Sequence, residues 1–227
     1  MTIHFIREMD RLHRDILSMC STAEEMIQDV IECLQPGRTS LAEEIMLRDR
    51  EVNEWDIRIE EECLKILALY HPVANDLRRV TVVLKIAQEL ERVADLAVNI
   101  AERSQSLDEI GQFPLPDRLK EMAEASLSML RDSIDSFVAQ DAAKAREVCG
   151  RDDAVDQLNV ELIAEVVEAM QQEPVRVASG IHVFSIIRHV ERVADHATNI
   201  AEDVVYMVEG EIIRHPRLRR NAGNSDT

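Results

Sequence analysis

The stretch ELERVADLAVNIAE at residues 89–102 recurs as HVERVADHATNIAE at residues 189–202, an offset of 100 positions. Ten of the fourteen aligned positions are identical. The similarity extends further, because DREVN at 49–53 parallels DDAVD at 152–156 and Pro72 is echoed by Pro174. A repeat near 100 residues is longer than the units of solenoid proteins, so it indicates a duplicated domain.

Turn-forming residues divide each half into three segments. In the first half they lie at residues 35–37 and at His71-Pro72, and in the second half they lie near 139–141 and at Glu173-Pro174. A linker at 111–116 separates the halves, and the last segment ends near Glu209-Gly210. Apolar residues recur along these segments at the period of an α-helix. Each half is therefore expected to contain three helices.

Short connections between long amphipathic helices imply antiparallel neighbours and hence bundles. We predict an all-α protein made of two tandem three-helix bundles, joined end to end or side by side. The first bundle is predicted at residues 1–110, the second at 117–210, and a flexible C-terminal tail at 211–227.

The composition excludes several classes of partner. A formal net charge of -18 repels the phosphates of nucleic acids and anionic lipid headgroups. The sequence contains no apolar run of about 18 residues, so no membrane span is expected. Four cysteines without a CxxC pair suggest reduced, mostly buried thiols in a cytoplasmic protein.

Pairs of acidic or amide side chains lie beside the predicted core stripe at matching places in both halves. Each pair is spaced i,i+4, so its two members point the same way along a helix. The four pairs are Asp49 with Asn53, Glu91 with Asp95, Asp152 with Asp156, and Glu191 with Asp195. Glu102 and Glu202 lie on the same edge of their helices. Asn99 and Asn199 lie a turn beyond the aspartates, where they would orient ligands or bond a neighbouring helix.

Paired carboxylates beside a core need compensation. Like charges at i,i+4 cost about 0.2–0.5 kcal/mol on an exposed helix, and more when they are partly buried. A cation held between facing helices would offset this cost, and carboxylate oxygens suit Mg, Mn, Fe or Zn. The alternative is a solvated acidic face neutralised by Arg92 and Arg192. Four pairs at repeat-equivalent positions favour the metal site.

Other candidate chemistries have less support. His196 lies on the far flank from Glu191 and Asp195, which indicates a packing or surface residue. The spacing Asp10-x-x-His13 is typical of metal ligands but has no counterpart in the second half. The Glu-x-x-His pairs of ferritin-like di-iron enzymes are absent, which weighs against oxidase chemistry.

The repeated run identifies a family resemblance. ERVADHATNIAE at 191–202 resembles the ERxxDHATNIAE signature of PhoU proteins, and residues 91–102 resemble the first-repeat version of it. HPVANDLRR at 71–79 resembles the family's QPxAxDLR turn, with His71 in place of Gln. The resemblance implies two three-helix bundles, often dimeric, with multinuclear metal sites whose ligands are the four pairs above. Asn53 departs from a strict acid, so the first-repeat site is expected to be weaker or differently populated.

The resemblance also implies a function. PhoU proteins are non-enzymatic, cytosolic negative regulators of phosphate-starvation signalling. They link the ATPase subunit of the phosphate ABC transporter to a sensor histidine kinase, and are peripheral to the inner membrane through these partners. From the residues alone two alternatives stay open. One is a carboxylate-bridged metalloprotein of the di-iron or metal-storage type, and the other is a purely structural bundle whose acids are dispensable.

Overall fold

The computed structural model describes residues 3–34, 41–111 and 113–214, which form helices and no strand. The helices are α1 (Ile3–Cys33), α2 (Leu41–Tyr70), α3 (Ala74–Ile110), α4 (Leu119–Ala139), α5 (Ala142–Cys149), α6 (Asp152–Gln172), a 3₁₀ turn (Pro174–Arg176) and α7 (Val177–Glu209). The predicted all-α fold is confirmed. The predicted break at residues 35–37 lies outside the described residues.

The helices pack as two bundles. Helices α1, α2 and α3 contact one another, while α4, α5 and α6 pack against α7. The two bundles lie side by side, because α3 packs along α7 and α1 also contacts α4. Ile27, Ile100 and Val190, from α1, α3 and α7, meet at this junction and are buried. Antiparallel packing of α3 on α7 therefore joins both halves through one continuous core.

The middle helix of the second half differs from the sequence prediction. A single helix was expected between Asp141 and Glu173, but α5 and α6 are separated by Gly150 and Arg151. Asp141 caps α5, since its side chain accepts hydrogen bonds from the backbone amides of Ala143 and Lys144 at 2.9 and 3.0 Å. Glycine favours a helix interior least among residues other than proline, so Gly150 is the natural place for the interruption. The new start places Asp152 in the first turn of α6, where the helix dipole stabilises an acid.

The end of the chain returns to the bundle. Gly210 ends α7 in the left-handed region with φ 74°, where glycine is unstrained. Arg214 then donates to Asp203 of α7 at 2.8 Å and lies 3.0 Å from a carboxylate oxygen of Glu202. Residues 215–227 of the predicted tail lie outside the described residues. No helix in the described part of the chain is long and apolar enough to cross a membrane.

The four cysteines are free, as expected. Cys20, Cys33 and Cys63 are buried and Cys149 is partly buried. Burial raises the pKa of Cys20 and Cys63 to about 12. Thiols with such high pKa values are poor nucleophiles and poor metal ligands near neutral pH.

Gly180 near the start of α7 marks a close approach that we expect a methyl group to disturb. A Cβ atom at this position would lie 2.6 Å from the side chain of Met170 and 3.2 Å from the ring of Phe113. We expect Gly180→Ala to lower the free energy of unfolding by about 1–3 kcal/mol through overpacking. Chemical denaturation should measure this change. The double variant with Met170→Ala should recover part of the loss, and equal losses in both variants would contradict the packing explanation.

Candidate metal centre

Three carboxylates converge in the second bundle. Asp156 of α6 meets Glu191 and Asp195 of α7, and one carboxylate oxygen from each lies within 4.8 Å of the others. Oxygen ligands on opposite sides of one ion lie about 4–5 Å apart, because each bond is about 2.0–2.5 Å long. One cation could therefore contact all three groups with little movement of the side chains.

Several oxygens at these positions have no hydrogen-bond partner in the part of the chain that the structure describes. Glu191 is only 8% exposed, and its Oε2 is buried and unpartnered, although Oε1 accepts a bond from Arg188 at 2.9 Å. Asn159 of α6 is buried with an unpartnered Oδ1, and Asp49 of α2 has an unpartnered Oδ1. An unpartnered buried polar atom is costly, so these oxygens are suited to bind a cation.

Burial and mutual repulsion raise the pKa values of Asp195 and Asp152 in the second bundle. Burial, followed by the charges of Glu191, Asp152 and Asp156, raises the pKa of Asp195 to about 6. Burial and the charges of Asp156 and Asp153 also raise the pKa of Asp152, despite a 3.2 Å hydrogen bond from Thr198. The ionised cluster is therefore held together at an electrostatic cost that a bound cation would remove.

The first bundle carries a related arrangement of acids. Burial raises the pKa of Asp49, and the nearby charge of Asp95 on α3 adds to this shift. Burial also raises the pKa of Glu91, with contributions from Asp95 and Asp56. Asn53 donates its amide to the other oxygen of Asp49 at 3.0 Å. At the matching place in the second bundle Asp156 provides a carboxylate instead, so the amide lies at a different position in the two sites.

Two further residues belong to these faces and were not predicted. Asp56 lies seven residues after Asp49 and acts on Glu91, and Asn159 lies seven residues after Asp152. The positions correspond through the same 103-residue offset that relates Asp49 to Asp152. Residues spaced i,i+7 share a helix face, so following each acid pair for one more helical turn would have found both residues.

The arginine that pairs with an acid of the α7 site is not the one predicted from the sequence. Arg192 is exposed and forms no ion pair among the described residues. Arg92 lies 3.8 Å from Glu89, and its charge lowers the pKa of Glu91 only as a minor influence. Arg188, which was not predicted, occupies one oxygen of Glu191 and leaves the other without a partner.

The supporting residues named from the sequence point in other directions. Asn99 donates to the backbone carbonyl of Asp95 at 2.7 Å, and Asn199 donates to Glu89 on α3 at 3.1 Å. For Asn199 the expectation of a bond to a neighbouring helix is confirmed. Glu202 faces Arg214, and Glu102 is exposed. None of these four belongs to the convergent carboxylate group among the residues described.

A second polar network joins the two bundles. Nδ1 of His196 lies 2.6 Å from a carboxylate oxygen of Glu89, across the contact between α3 and α7. His196 is 6% exposed, which agrees with the packing role expected for it. Hydrogen bonds from His196 and Asn199 outweigh the burial of Glu89, so its pKa is lowered. Glu89 had no role in the sequence prediction because its partner lies more than 100 residues away.

The comparisons with known proteins agree with this architecture. The PhoU domain matches residues 7–104 and again residues 119–204. The chain belongs to the PhoU family. The PhoU homolog of Aquifex aeolicus, a phosphate-specific transport system accessory protein, is 34% identical over 213 residues, covering 94% of this chain and 96% of that protein. The homolog from Pseudomonas putida is 32% identical over 217 residues, covering 95% of this chain and 85% of that protein.

Two solved PhoU structures share the fold. The crystal structure of PhoU from Pseudomonas aeruginosa has a TM-score of 0.89 and 30% identity, covering 91% of this chain and all of that chain (100%). The phosphate transport system regulatory protein PhoU from Streptococcus pneumoniae has a TM-score of 0.83 and 30% identity, covering 92% and 99% of the two chains. This PhoU chain therefore has the tandem bundles of its family along nearly its whole length.

Proposed function

We propose that this PhoU protein is a regulatory accessory protein of a phosphate transport system, and that its bundles bind divalent or multinuclear metal ions. The observation that carries the metal proposal is the convergence of Asp156, Glu191 and Asp195, with a buried oxygen of Glu191 left without a partner. The donors are all oxygens, which suits Mg, Mn, Fe or Zn.

Each bundle would hold metal through its two pairs. In the second bundle Asp152 and Asp156 of α6 face Glu191 and Asp195 of α7. In the first bundle Asp49 and Asn53 of α2 act with Glu91 and Asp95 of α3, and Asp56 adds a fifth candidate. A bound cation supplies positive charge that neutralises the acids and links adjacent helices. The residues themselves position the oxygens and hold them in a partly buried place.

The regulatory role follows from the family. The relatives are named accessory or regulatory proteins of phosphate transport, and this chain aligns with them over nearly its full length. We propose that it acts in the cytoplasm as a homodimeric adaptor between the ATPase subunit of the phosphate ABC transporter and a sensor histidine kinase, and is a negative regulator of phosphate-starvation signalling. No catalytic activity is part of this proposal.

Two experiments test the regulatory proposal. Deleting the gene should make phosphatase expression constitutive in phosphate-rich medium, and unchanged repression would count against a negative regulator. Co-purification of the tagged protein, with and without phosphate, should recover the transporter ATPase and the kinase. Recovery of neither partner under both conditions would contradict the adaptor role.

The convergent carboxylates also suit a metal store or di-iron enzyme, which is the second candidate function. Such a protein should consume oxygen when supplied with ferrous iron. Turnover in that assay would overturn the adaptor proposal. Stoichiometric metal binding without turnover would instead favour it.

Metal binding should depend on pH through Asp195. The pKa of this group rises from 3.8 to about 6 in the folded protein, so the folded state holds its proton more tightly than the unfolded state. The protonated carboxyl of Asp195 therefore stabilises the metal-free folded protein fully below about pH 4. This stabilisation is lost as the pH rises through about 6. Metal requires the ionised carboxylate, so metal affinity should increase over the same interval.

Thermal denaturation of metal-free protein between pH 4 and 7, compared with Asp195→Asn, isolates this group because the amide does not titrate. Metal titrations at the same pH values give the second measurement. A wild-type curve that parallels the variant throughout would contradict the assignment.

A further inference from the structure

The seam, which is the line of contact between α3 and α7, has two ends that are related by the repeat and carry opposite charge. These two helices are equivalent through the 100-residue repeat. They pack antiparallel, since Lys85 meets Asp203 and Glu89 meets His196, so positions at one end of the contact correspond to positions at the other end with the helices exchanged. At one end Lys85 of α3 pairs with Asp203 of α7 at 3.1 Å. The repeat-equivalent residues at the other end are Arg103 of α3 and Ser185 of α7.

At the second end of the seam, two basic residues occupy the positions that two acids occupy at the first end. His189 occupies the place equivalent to Glu89, and Arg103 occupies the place equivalent to Asp203. At the acidic end the chain supplies its own partners, since Lys85 and Arg214 pair with Asp203 and His196 pairs with Glu89. The basic end differs, because Arg103 forms no ion pair with any residue that the structure describes.

The basic end has buried nitrogen atoms without partners. Nε of Arg103, Nδ1 of His189 and Nδ1 of His182 are all buried and make no hydrogen bond with the described residues. His182 and His189 are seven residues apart on α7 and share one helix face. Between them Ser185 binds Nε2 of His189 at 3.1 Å, which fixes the orientation of that ring. Two unpartnered nitrogens thus lie two turns apart on one face of α7, and the charge of Arg103 acts on His189 from α3.

The surrounding charge is positive. Burial lowers the pKa of His189, and the charges of Arg192, Arg103 and Arg188 lower it further. Arg188 is paired with Glu191, but Arg192 is exposed and unpaired among the described side chains. Ser104 donates to the carbonyl of Cys33, so the end of α1 is adjacent to this part of α3. Glu32, one residue before Cys33, is an acid at this end of α1 and already has an interaction of its own. A local excess of positive charge in a chain of net charge -18 needs a counterion.

We propose that this basic seam, formed by Arg103, His182, Ser185, His189 and Arg192, binds a small oxyanion of the phosphate class. The guanidinium and imidazole N–H groups donate to anion oxygens, and such charge-assisted hydrogen bonds are stronger than neutral ones. When the hydroxyl of Ser185 donates to Nε2 of His189, the ring proton lies on Nδ1, where it can donate to the anion. These residues lie on α3 and α7, and none of them is one of the three convergent carboxylates. The choice of phosphate among oxyanions rests on the proposed function.

Calorimetric titration of inorganic phosphate into full-length, chelator-treated protein tests the seam. We expect saturable binding that Arg103→Gln weakens about tenfold or more, because one charge-assisted donor is lost. The matched control is Arg79→Gln, which removes an exposed arginine near the other end of the same helix that forms no ion pair with a described residue. The control should bind phosphate as the wild type does. A second variant, His189→Leu, should also weaken binding, and circular dichroism confirms that each variant is folded.

Three results would overturn the proposal: no saturable binding by the metal-free wild type, unchanged affinity in Arg103→Gln, or equal losses in Arg103→Gln and Arg79→Gln. The last result would mean that only overall charge matters. Failure here is distinguishable from failure of the proposed function, because metal content and phosphatase repression are measured independently of phosphate binding.

Discussion

Replacing Glu191 and Asp195 together by alanine is expected to abolish metal binding by the second bundle while leaving the helix content unchanged. These two residues supply two of the three convergent carboxylates, and Glu191 supplies the buried oxygen without a partner. Loss of an outer-shell partner alone typically costs 10–100-fold in metal affinity, so removing two direct ligands should exceed about 100-fold. Elemental analysis of purified protein and circular dichroism measure the two quantities.

The same double variant should be more stable than the wild type when metal is absent. Its removal of two repelling charges relieves the strain that raises the pKa of Asp195. The matched control is Glu165→Ala with Glu168→Ala, which removes two exposed acids from α6 of the same bundle. Equal metal content in the control and in the double variant would exclude a site at Asp156, Glu191 and Asp195. Metal loss together with loss of helix would instead indicate a structural role.

Replacing His196 by alanine is expected to destabilise the folded protein more than Gly180→Ala does. Among the described residues, it leaves the largely buried carboxylate of Glu89 with Asn199 as its one hydrogen-bond partner and Arg92 at 3.8 Å. Removing one member of a buried pair is strongly destabilising, and we expect a loss of about 2–4 kcal/mol in the free energy of unfolding. For a protein of this size that corresponds to a lower Tm by several degrees.

Two comparisons isolate the pair. Arg92→Ala removes the exposed partner of the same carboxylate and should change stability by less than about 1 kcal/mol. The double variant Glu89→Leu with His196→Leu removes both members and should recover much of the loss, because no buried charge stays unpaired. Leucine already occupies the equivalent place at Leu96, which is buried. A double variant as unstable as His196→Ala would contradict this account.

The fold and most of the candidate site could be predicted because their signals are local. Turn residues divide the chain into helices, and the i,i+4 spacing of the acid pairs determines which face of a helix they share. The prediction of one helix between Asp141 and Glu173 is wrong because a capping aspartate and Gly150 permit an interruption that apolar periodicity does not show. Asp56 and Asn159 were missed only because the spacing of each pair was not followed for one more helical turn.

By itself the sequence determined the duplication, the helical class, the acidic faces and the family of this protein, since each depends on spacing along one segment. The tertiary structure alone decided which acids meet, because convergence depends on the register between helices. Glu191 and Asp195 reach Asp156, while Asn53 turns to Asp49, and Glu89 meets His196 across 107 positions of the chain. A shift of one helix along another by a single turn, about 5.4 Å, would separate these groups without changing any helical pattern. Their positions are set by side-chain packing between α3 and α7.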